Sequence, residues 1–510
     1  MKRTKNVFSG ITFGVINNFL NILLPFVSRT IIIHQLGVEY VGLKGVFTSV
    51  LQVLSLSELG FGAAISYLLY KPIAEKNVDK VNAILLLYRR IYRIIGVVIL
   101  ALSIALIPFL DKLVTGDVPN DISIYILYSI YVLNTVISYF FFAYKKILFS
   151  ANQRYDIEVS INSIILILQN VVQIIILILV KNYYAYVIIL PIMTIINNIT
   201  SYIVVNKKYP MYRCKGTLSR EEIKEIKKNT GGAFFSKIGS TVYMSVDNIV
   251  ISAFLGITIL GIYDNYYYVV ASIIAVFSVL HNSLRPVIGN ILIVENNEKK
   301  WSTFRKVNYF YMLFVIICTV GICILTQDFE LIWGGKNNLL GIEIVYLLTT
   351  YFFIGRLSSV LTIFQEAAGL YWQGKFIPLV AAAINLGINI FLVHLIGLPG
   401  IVISSIISAF FISFPGYAYI IFRYLFNEKK YIKLFLIDSL KILIQLIIVI
   451  PLSFFVSKMI NVTGWWTLIL KGLVAESIVL VVLFLFNIKR IRIKDTIQFI
   501  KNRIISKNVS

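Results

Sequence analysis

The chain has 510 residues, of which 58% are hydrophobic and 14% charged, and its mean hydropathy is +0.85. That is more apolar surface than a water-soluble core can hide, so lipid is the solvent for most of it. The net charge of +23 does not point to nucleic acid, because the basic residues punctuate apolar runs instead of gathering on one face with a recognition motif. Its three cysteines, Cys214, Cys318 and Cys323, make neither a disulfide framework nor a zinc ligand set.

In chain order, apolar runs of membrane-spanning length are expected at residues 8–33, 46–69, 94–110, 122–144, 157–180 and 184–205. The first is read as a retained span, since no small-residue cleavage pattern follows Pro25. A basic connector, residues 207–230, carries eight Lys or Arg against three Glu. Beyond it come runs at 232–255, 260–293, 307–325, 339–369, 376–395 and 400–422, then two more at 434–456 and 466–486. The expected fold class is an all-α integral membrane protein of fourteen transmembrane helices. Backbone in lipid must satisfy its own hydrogen bonds, and barrel strands would be shorter and alternate in polarity.

Basic residues set the orientation. Of 47 Lys and Arg, 36 fall at the termini and in every second loop, against 6 on the opposite side. Positive loops stay cytoplasmic, so both termini and the connector are expected inside. The opposite loops, among them 111–121 and 327–338, are short and lean acidic. All five Trp lie near span ends, where interfacial rings sit.

The two sides of the connector echo one another. Leu36-Gly37 and Gly42-Leu43 recur as Leu255-Gly256 and Gly261-Ile262, 219 positions on, and Tyr131, Ser138 and Gln153 recur as Tyr351, Ser358 and Gln373. Matches kept in register indicate an internal duplication, and six spans per half make the repeat parallel. The expected organisation is a six-helix lobe at 1–206, the connector at 207–230, a second six-helix lobe at 231–425, and two further helices with a basic tail at 426–510.

Catalytic chemistry is not evident. Residues 369–376 approach a phosphate-binding loop, but Phe376 stands where a hydroxyl is needed and no strand precedes it. The three histidines lack ligand spacing. The informative residues are charges inside spans, which are costly there and face a cavity or a partner. Arg29, Arg356, Lys237 and Arg285 are the candidate ligand-binding cations, and Glu58 and Asp247 the candidate proton or sodium sites; pairing between neighbouring spans is the alternative for each. Tyr263 and Tyr266–Tyr268 are read as an interface belt, with stacking faces for sugars as the other possibility.

Two stretches carry a family resemblance: Arg29-Thr-Ile-Ile-Ile-His-Gln-Leu-Gly37 through Glu58-Leu-Gly60-Phe-Gly62, and Gln373-Gly374-Lys375 followed by Asn385, Asn389, Gly397 and Gly400. With them the chain resembles the bacterial lipid-linked oligosaccharide flippases of polysaccharide biosynthesis, in the superfamily that includes MATE exporters. The resemblance implies two six-helix lobes around a central cavity, the last two helices packed outside, and alternating access. It implies export of an undecaprenyl-diphosphate-linked repeat unit for capsule, O-antigen or exopolysaccharide across the bacterial cytoplasmic membrane. The implied partners are the lipid-linked oligosaccharide, membrane lipid and polysaccharide polymerase or assembly proteins, with no cofactor and no nucleic acid. A MATE-type ion-coupled drug exporter and a lipid II flippase stay open as alternatives. An enzyme such as a membrane glycosyl polymerase would need a substantial external loop, which the span pattern lacks.

Overall fold

Runs of Leu, Ile, Val and Phe in lipid leave the backbone no partner but itself. The computed structural model is accordingly helical, with no strand among the described residues, which are 20, 22–55 and 61–487. The first half holds α1 (Ile22–Gln35), α2 (Val38–Leu54), α3 (Phe61–Ala74), α4 (Val78–Leu106), α5 (Leu110–Leu113), α6 (Ile124–Phe140), α7 (Ile147–Ala151), α8 (Tyr155–Leu179) and α9 (Tyr183–Lys208). The second holds α10 (Arg220–Leu255), α11 (Ile257–Val294), α12 (Asn297–Trp333), α13 (Ile342–Leu357), α14 (Ser359–Ala367), α15 (Tyr371–Gly374), α16 (Ile377–Ile396), α17 (Leu398–Ser408) and α18 (Phe414–Ile420). Helices α19 (Lys429–Ser457) and α20 (Trp465–Asn487) pack on each other and on α12.

Eleven helical stretches among the described residues are long and apolar enough to cross a membrane, or twelve if α6 and the stretch Ala143–Ala151, bent by 55°, form one span. The difference from the expected fourteen lies in the first two runs. The first begins outside the described residues, and the second is divided between α2 and α3 around residues 56–60, which also lie outside them.

The structure corrects three local expectations. The connector is shorter than residues 207–230, because α10 begins at Arg220; Glu and Lys are good helix formers, so a charged stretch that ends a hydropathic run need not end a helix. Helix α12 runs on to Trp333, so the first part of the expected loop 327–338 is helical. Trp301 and Trp333 are buried at 7% and 3% exposure, while Trp466 is 84% exposed. Trp301 packs at 4.6–5.4 Å between ring centroids against Phe304, Phe426 and Tyr431, a packing role that proximity to a helix end does not reveal.

The two halves meet most closely where α2 crosses α11. A Cβ placed on Gly42 would lie 2.1 Å from the Ile257 carbonyl oxygen, and one on Gly261 would lie 2.1 Å from the Val38 carbonyl oxygen. These are repeat-related pairs, so the contact is self-complementary, with glycine at each centre because only a missing Cβ lets the backbones approach this far. Gly37 and Gly256, also repeat-related, cap the N-termini of α2 and α11 at φ +126° and +92°. The loop after α5 holds this end as well: Thr115 Oγ1 donates to the Ser252 carbonyl at 2.7 Å, and Ile257 N donates to the Thr115 carbonyl at 2.9 Å.

Gly261→Ala is therefore expected to destabilise the protein by the roughly 1–3 kcal/mol of overpacking, at the upper end because the opposing atoms are backbone. Thermal denaturation followed by size exclusion in detergent would read it. Gly355→Ala, where an added Cβ meets nothing within 4 Å, is the control and should leave the midpoint in place.

Candidate functional site

The candidate cations occupy four different settings. Arg29, on α1, reaches across the seam to α11: Nη1 donates to Asn265 Oδ1 at 3.1 Å, Nη2 lies 3.7 Å from Asp264 Oδ2, and the guanidinium stands 4.8 Å from the Tyr268 ring centroid. Neighbouring side chains fasten α1 to the second half, with Trp333 Nε1 donating to Thr30 Oγ1 at 2.8 Å and Phe26 stacked on Trp333 at 4.8 Å.

The duplication organises this contact. Asp264 corresponds to Gly45 in the first half, and the two face each other: a Cβ on Gly45 would come within 2.6 Å of Asp264 Oδ2. Arg29 and Tyr268 correspond to Asn248 and Ser49, which also touch, Asn248 Nδ2 donating to Ser49 Oγ at 3.1 Å. The seam thus keeps its paired positions and changes their chemistry, charged on one side of the pseudo-axis and neutral on the other.

Asp247, on α10, sits in a network contributed by α16 and α17. Asn389 Nδ2 donates to Oδ1 at 2.7 Å and Ser405 Oγ to Oδ2 at 2.8 Å. Asn385 Nδ2 donates to Ser405 Oγ at 2.9 Å and to Ser404 Oγ at 3.2 Å, and Ser404 Oγ donates to Asn389 Oδ1. Asn385, Asn389 and Ser404 have no exposure. The carboxylate thus has no cationic partner among the described residues and is held by neutral amide and hydroxyl donors; an ionisable group so placed inside a span is a functional candidate.

Arg356 closes α13 beside Tyr311 of α12; its Nε finds no hydrogen-bond partner among the described residues, and it forms no ion pair with a described acid. Arg285, on α11, shares the Glu366 carboxylate of α14 with His281, at 3.1 and 3.2 Å to Oε2. Lys237, on α10, is exposed and ion-pairs with no described acid. Glu58 lies outside the described residues. The four cations do not converge on one point. The tyrosine segment of α11 faces inward in part, with Tyr263 and Tyr266 at 3% and 0% exposure, which corrects the expected interface belt. The physical reason is that this part of α11 packs against α2, α12 and α13, Tyr266 Oη donating to Gln327 Oε1 at 3.2 Å and the Tyr267 ring lying 6.3 Å from that of Tyr351.

A family model described as "Polysaccharide biosynthesis protein" matches residues 4–292, more than half of the chain. The chain belongs to this polysaccharide biosynthesis family. No curated protein matches it. Among solved structures, this polysaccharide biosynthesis protein is similar to the lipid II flippase MurJ in an inward closed conformation, with 17% identity, a TM-score of 0.61, and coverage of 94% of this chain and 100% of that one. It is also similar to an inward-facing multidrug resistance MATE family transporter of the MOP superfamily, with 13% identity, a TM-score of 0.58, and coverage of 80% and 94%. A third is a MOP superfamily transporter from Pyrococcus furiosus with a binding pocket of reversed polarity, with 12% identity, a TM-score of 0.56, and coverage of 82% and 95%. At these identities the likeness is one of fold. The chain shares the helical architecture of these structures, and its long apolar helices make it a multi-pass membrane protein.

Sequence reasoning passed over Glu330. It falls in the stretch read as an external loop, yet it lies in the last turns of α12 with no exposure, and neither carboxylate oxygen has a hydrogen-bond partner among the described residues. In the sequence Glu330 stands between Phe329 and Leu331-Ile332-Trp333, an acid amid apolar residues that could have drawn attention to it.

Proposed function

We propose that this polysaccharide biosynthesis protein is a flippase that carries an undecaprenyl-diphosphate-linked oligosaccharide repeat unit across the bacterial cytoplasmic membrane by alternating access, for capsule, O-antigen or exopolysaccharide assembly. The family match carries the reading. A diphosphate headgroup cannot cross ~30 Å of hydrocarbon without compensating charge, whereas its polyprenyl tail can stay in lipid. Arg29, Arg356, Lys237 and Arg285 supply that charge at successive depths, Lys237 and Arg285 receiving the headgroup first and Arg29 last.

In this reading α1 and the α2–α3 segment supply two further spans, which restores fourteen and keeps both termini and the connector in the cytoplasm. The two six-helix halves, 1–206 and 231–425, act as lobes with α19 and α20 outside them. The seam of Gly42 and Gly261 then lies at the outer end and parts when the headgroup leaves. Asp247, with Glu58 as a second candidate, takes the coupling ion, and no nucleotide is consumed.

Deleting the gene is expected to remove surface polysaccharide and leave lipid-linked repeat units on the cytoplasmic leaflet, and a plasmid copy restores both. The rival readings give other results: a lipid II flippase would rescue cells depleted of their own, and a MATE-type exporter would change drug sensitivity with polysaccharide intact. Either outcome, or unchanged polysaccharide, overturns the proposal.

A further inference from the structure

One cavity in the first half is lined by none of the candidate site residues above. A cavity of about 600 Å³ lies among α4, α6, α7, α8 and α9, a volume in the roughly 300–1,000 Å³ range of small-ligand sites. It runs from Glu158, near the start of α8, to Gln169, about 16 Å further along that helix at 1.5 Å per residue. In the proposed topology the Glu158 end faces the cytoplasm.

The lining is polar for a membrane-embedded bundle, and its polarity is neutral. Gln169, Asn162, Asn197 and Asn198 bring carboxamides from α8 and α9, and Tyr88 and Ser138 bring hydroxyls from α4 and α6. The only charged lining residues are one lysine, Lys146, and one glutamate, Glu158, both at the same end. Part of this polarity is internally satisfied: Asn197 Nδ2 donates to Asn162 Oδ1 at 3.0 Å, and Tyr88 donates to the Tyr92 hydroxyl at 3.2 Å. Part is not. Asn198 is 2% exposed and its Nδ2 has no hydrogen-bond partner among the described residues. That nitrogen is shielded from water as the side chain stands; a buried amide donor left unmade costs about 1–3 kcal/mol, and a small turn of the Asn198 side chain toward the cavity gives it an acceptor there.

The composition narrows the class of ligand. A diphosphate would want several cations and a drug cation would want acids, and neither is present in excess. Side-chain amides carry donor and acceptor on one planar group, which matches the adjacent hydroxyl, ring-oxygen and N-acetyl groups of a sugar. We propose that this cavity is a saccharide subsite, which holds an uncharged sugar of the headgroup while the diphosphate stays with the cations. The proposal rests on the flippase reading and adds to it where the sugar goes and which residues select it.

Ser138→Cys, in a protein whose Cys214, Cys318 and Cys323 are replaced by Ala, puts a thiol in the lining with little change of volume. Maleimide labelling of the detergent-solubilised full chain then reports occupancy. The lipid-linked saccharide fraction extracted from the cells is expected to slow labelling, and so is the saccharide released from it by mild acid at higher concentration; synthetic polyprenyl diphosphate is not. Adding Asn198→Ala should weaken the saccharide protection about fivefold, the loss of one hydrogen bond, with an unchanged elution profile. Equal protection by the bare lipid diphosphate, no protection by either saccharide form, or full protection in the Asn198→Ala variant overturns the subsite. The deletion phenotype is read separately. Saccharide protection with surface polysaccharide intact in the deletion strain would keep a sugar-binding cavity and remove the flippase reading; lost polysaccharide without protection would do the reverse.

Discussion

Arg29→Ala is expected to abolish surface polysaccharide and to lower the amount of folded protein in the membrane, and adding Asp264→Asn is expected to repair only the second loss. The pair is well shielded, with side chains 14% and 11% exposed. Removing one partner of a buried pair costs about 3–5 kcal/mol because the other charge is stranded. Neutralising Asp264 removes that stranded charge, so abundance returns in the double variant. Transport does not return if Arg29 also neutralises the headgroup. Arg29→Lys should keep more transport than Arg29→Gln, since charge is what the diphosphate needs. Arg356 lacks a described acidic partner, so Arg356→Ala should lose transport at near wild-type abundance. Immunoblots of membranes beside surface polysaccharide assays separate the two effects. Near-normal polysaccharide in the Arg29→Ala/Asp264→Asn protein would make Arg29 a strut between α1 and α11 and nothing more.

The second large effect is at Asp247. In proteoliposomes the wild-type protein is expected to translocate lipid-linked saccharide faster under an imposed sodium or proton gradient, and Asp247→Asn to run at one slow rate with or without it. Asparagine keeps the size of the side chain, and Ser405 can reorient its hydroxyl, so the shell of Asn385, Asn389 and Ser404 can stay assembled while the charge that binds an ion is gone. Ser405→Ala removes one hydrogen bond that stabilises the ion-free carboxylate, worth about 1.5–3 kcal/mol, and should raise the site's affinity for its ion by roughly tenfold or more, so that the gradient response persists but saturates at lower ion concentration. Testing sodium and proton gradients separately names the ion. A full gradient response in Asp247→Asn would assign the network to packing between α10, α16 and α17.

Much of this protein is written in the spacing of its apolar residues. Runs such as 157–180 and 184–205 become α8 and α9 within a few positions, because in lipid a long apolar segment has no alternative to the helix. The internal echo was legible too, and its glycines mark the seam: Gly42 and Gly261 stand out in the sequence as a repeated pair and meet each other's backbone in the fold. The family resemblance was carried by Arg29 through Gly62 and by Gln373 through Gly400, and the polysaccharide biosynthesis family match, over residues 4–292, bears out the family and takes in the first of these stretches.

What hydropathy leaves undetermined is the rotation of each helix about its axis and the partner it meets, and every feature of the site depends on those two quantities. Arg29 meets Asp264 and Asn265 from 236 positions away on α11 in the case of Asn265, Asp247 draws its shell from α16 and α17, and Glu330 passes from an apparent loop to a buried helical turn. The amide-lined cavity takes residues from separate helices, none of which forms a motif alone. Composition and periodicity are properties of segments and were sufficient for the elements; contacts are properties of pairs of segments, so only the tertiary structure decided which charges pair, which lie buried, and where an amide-lined cavity opens.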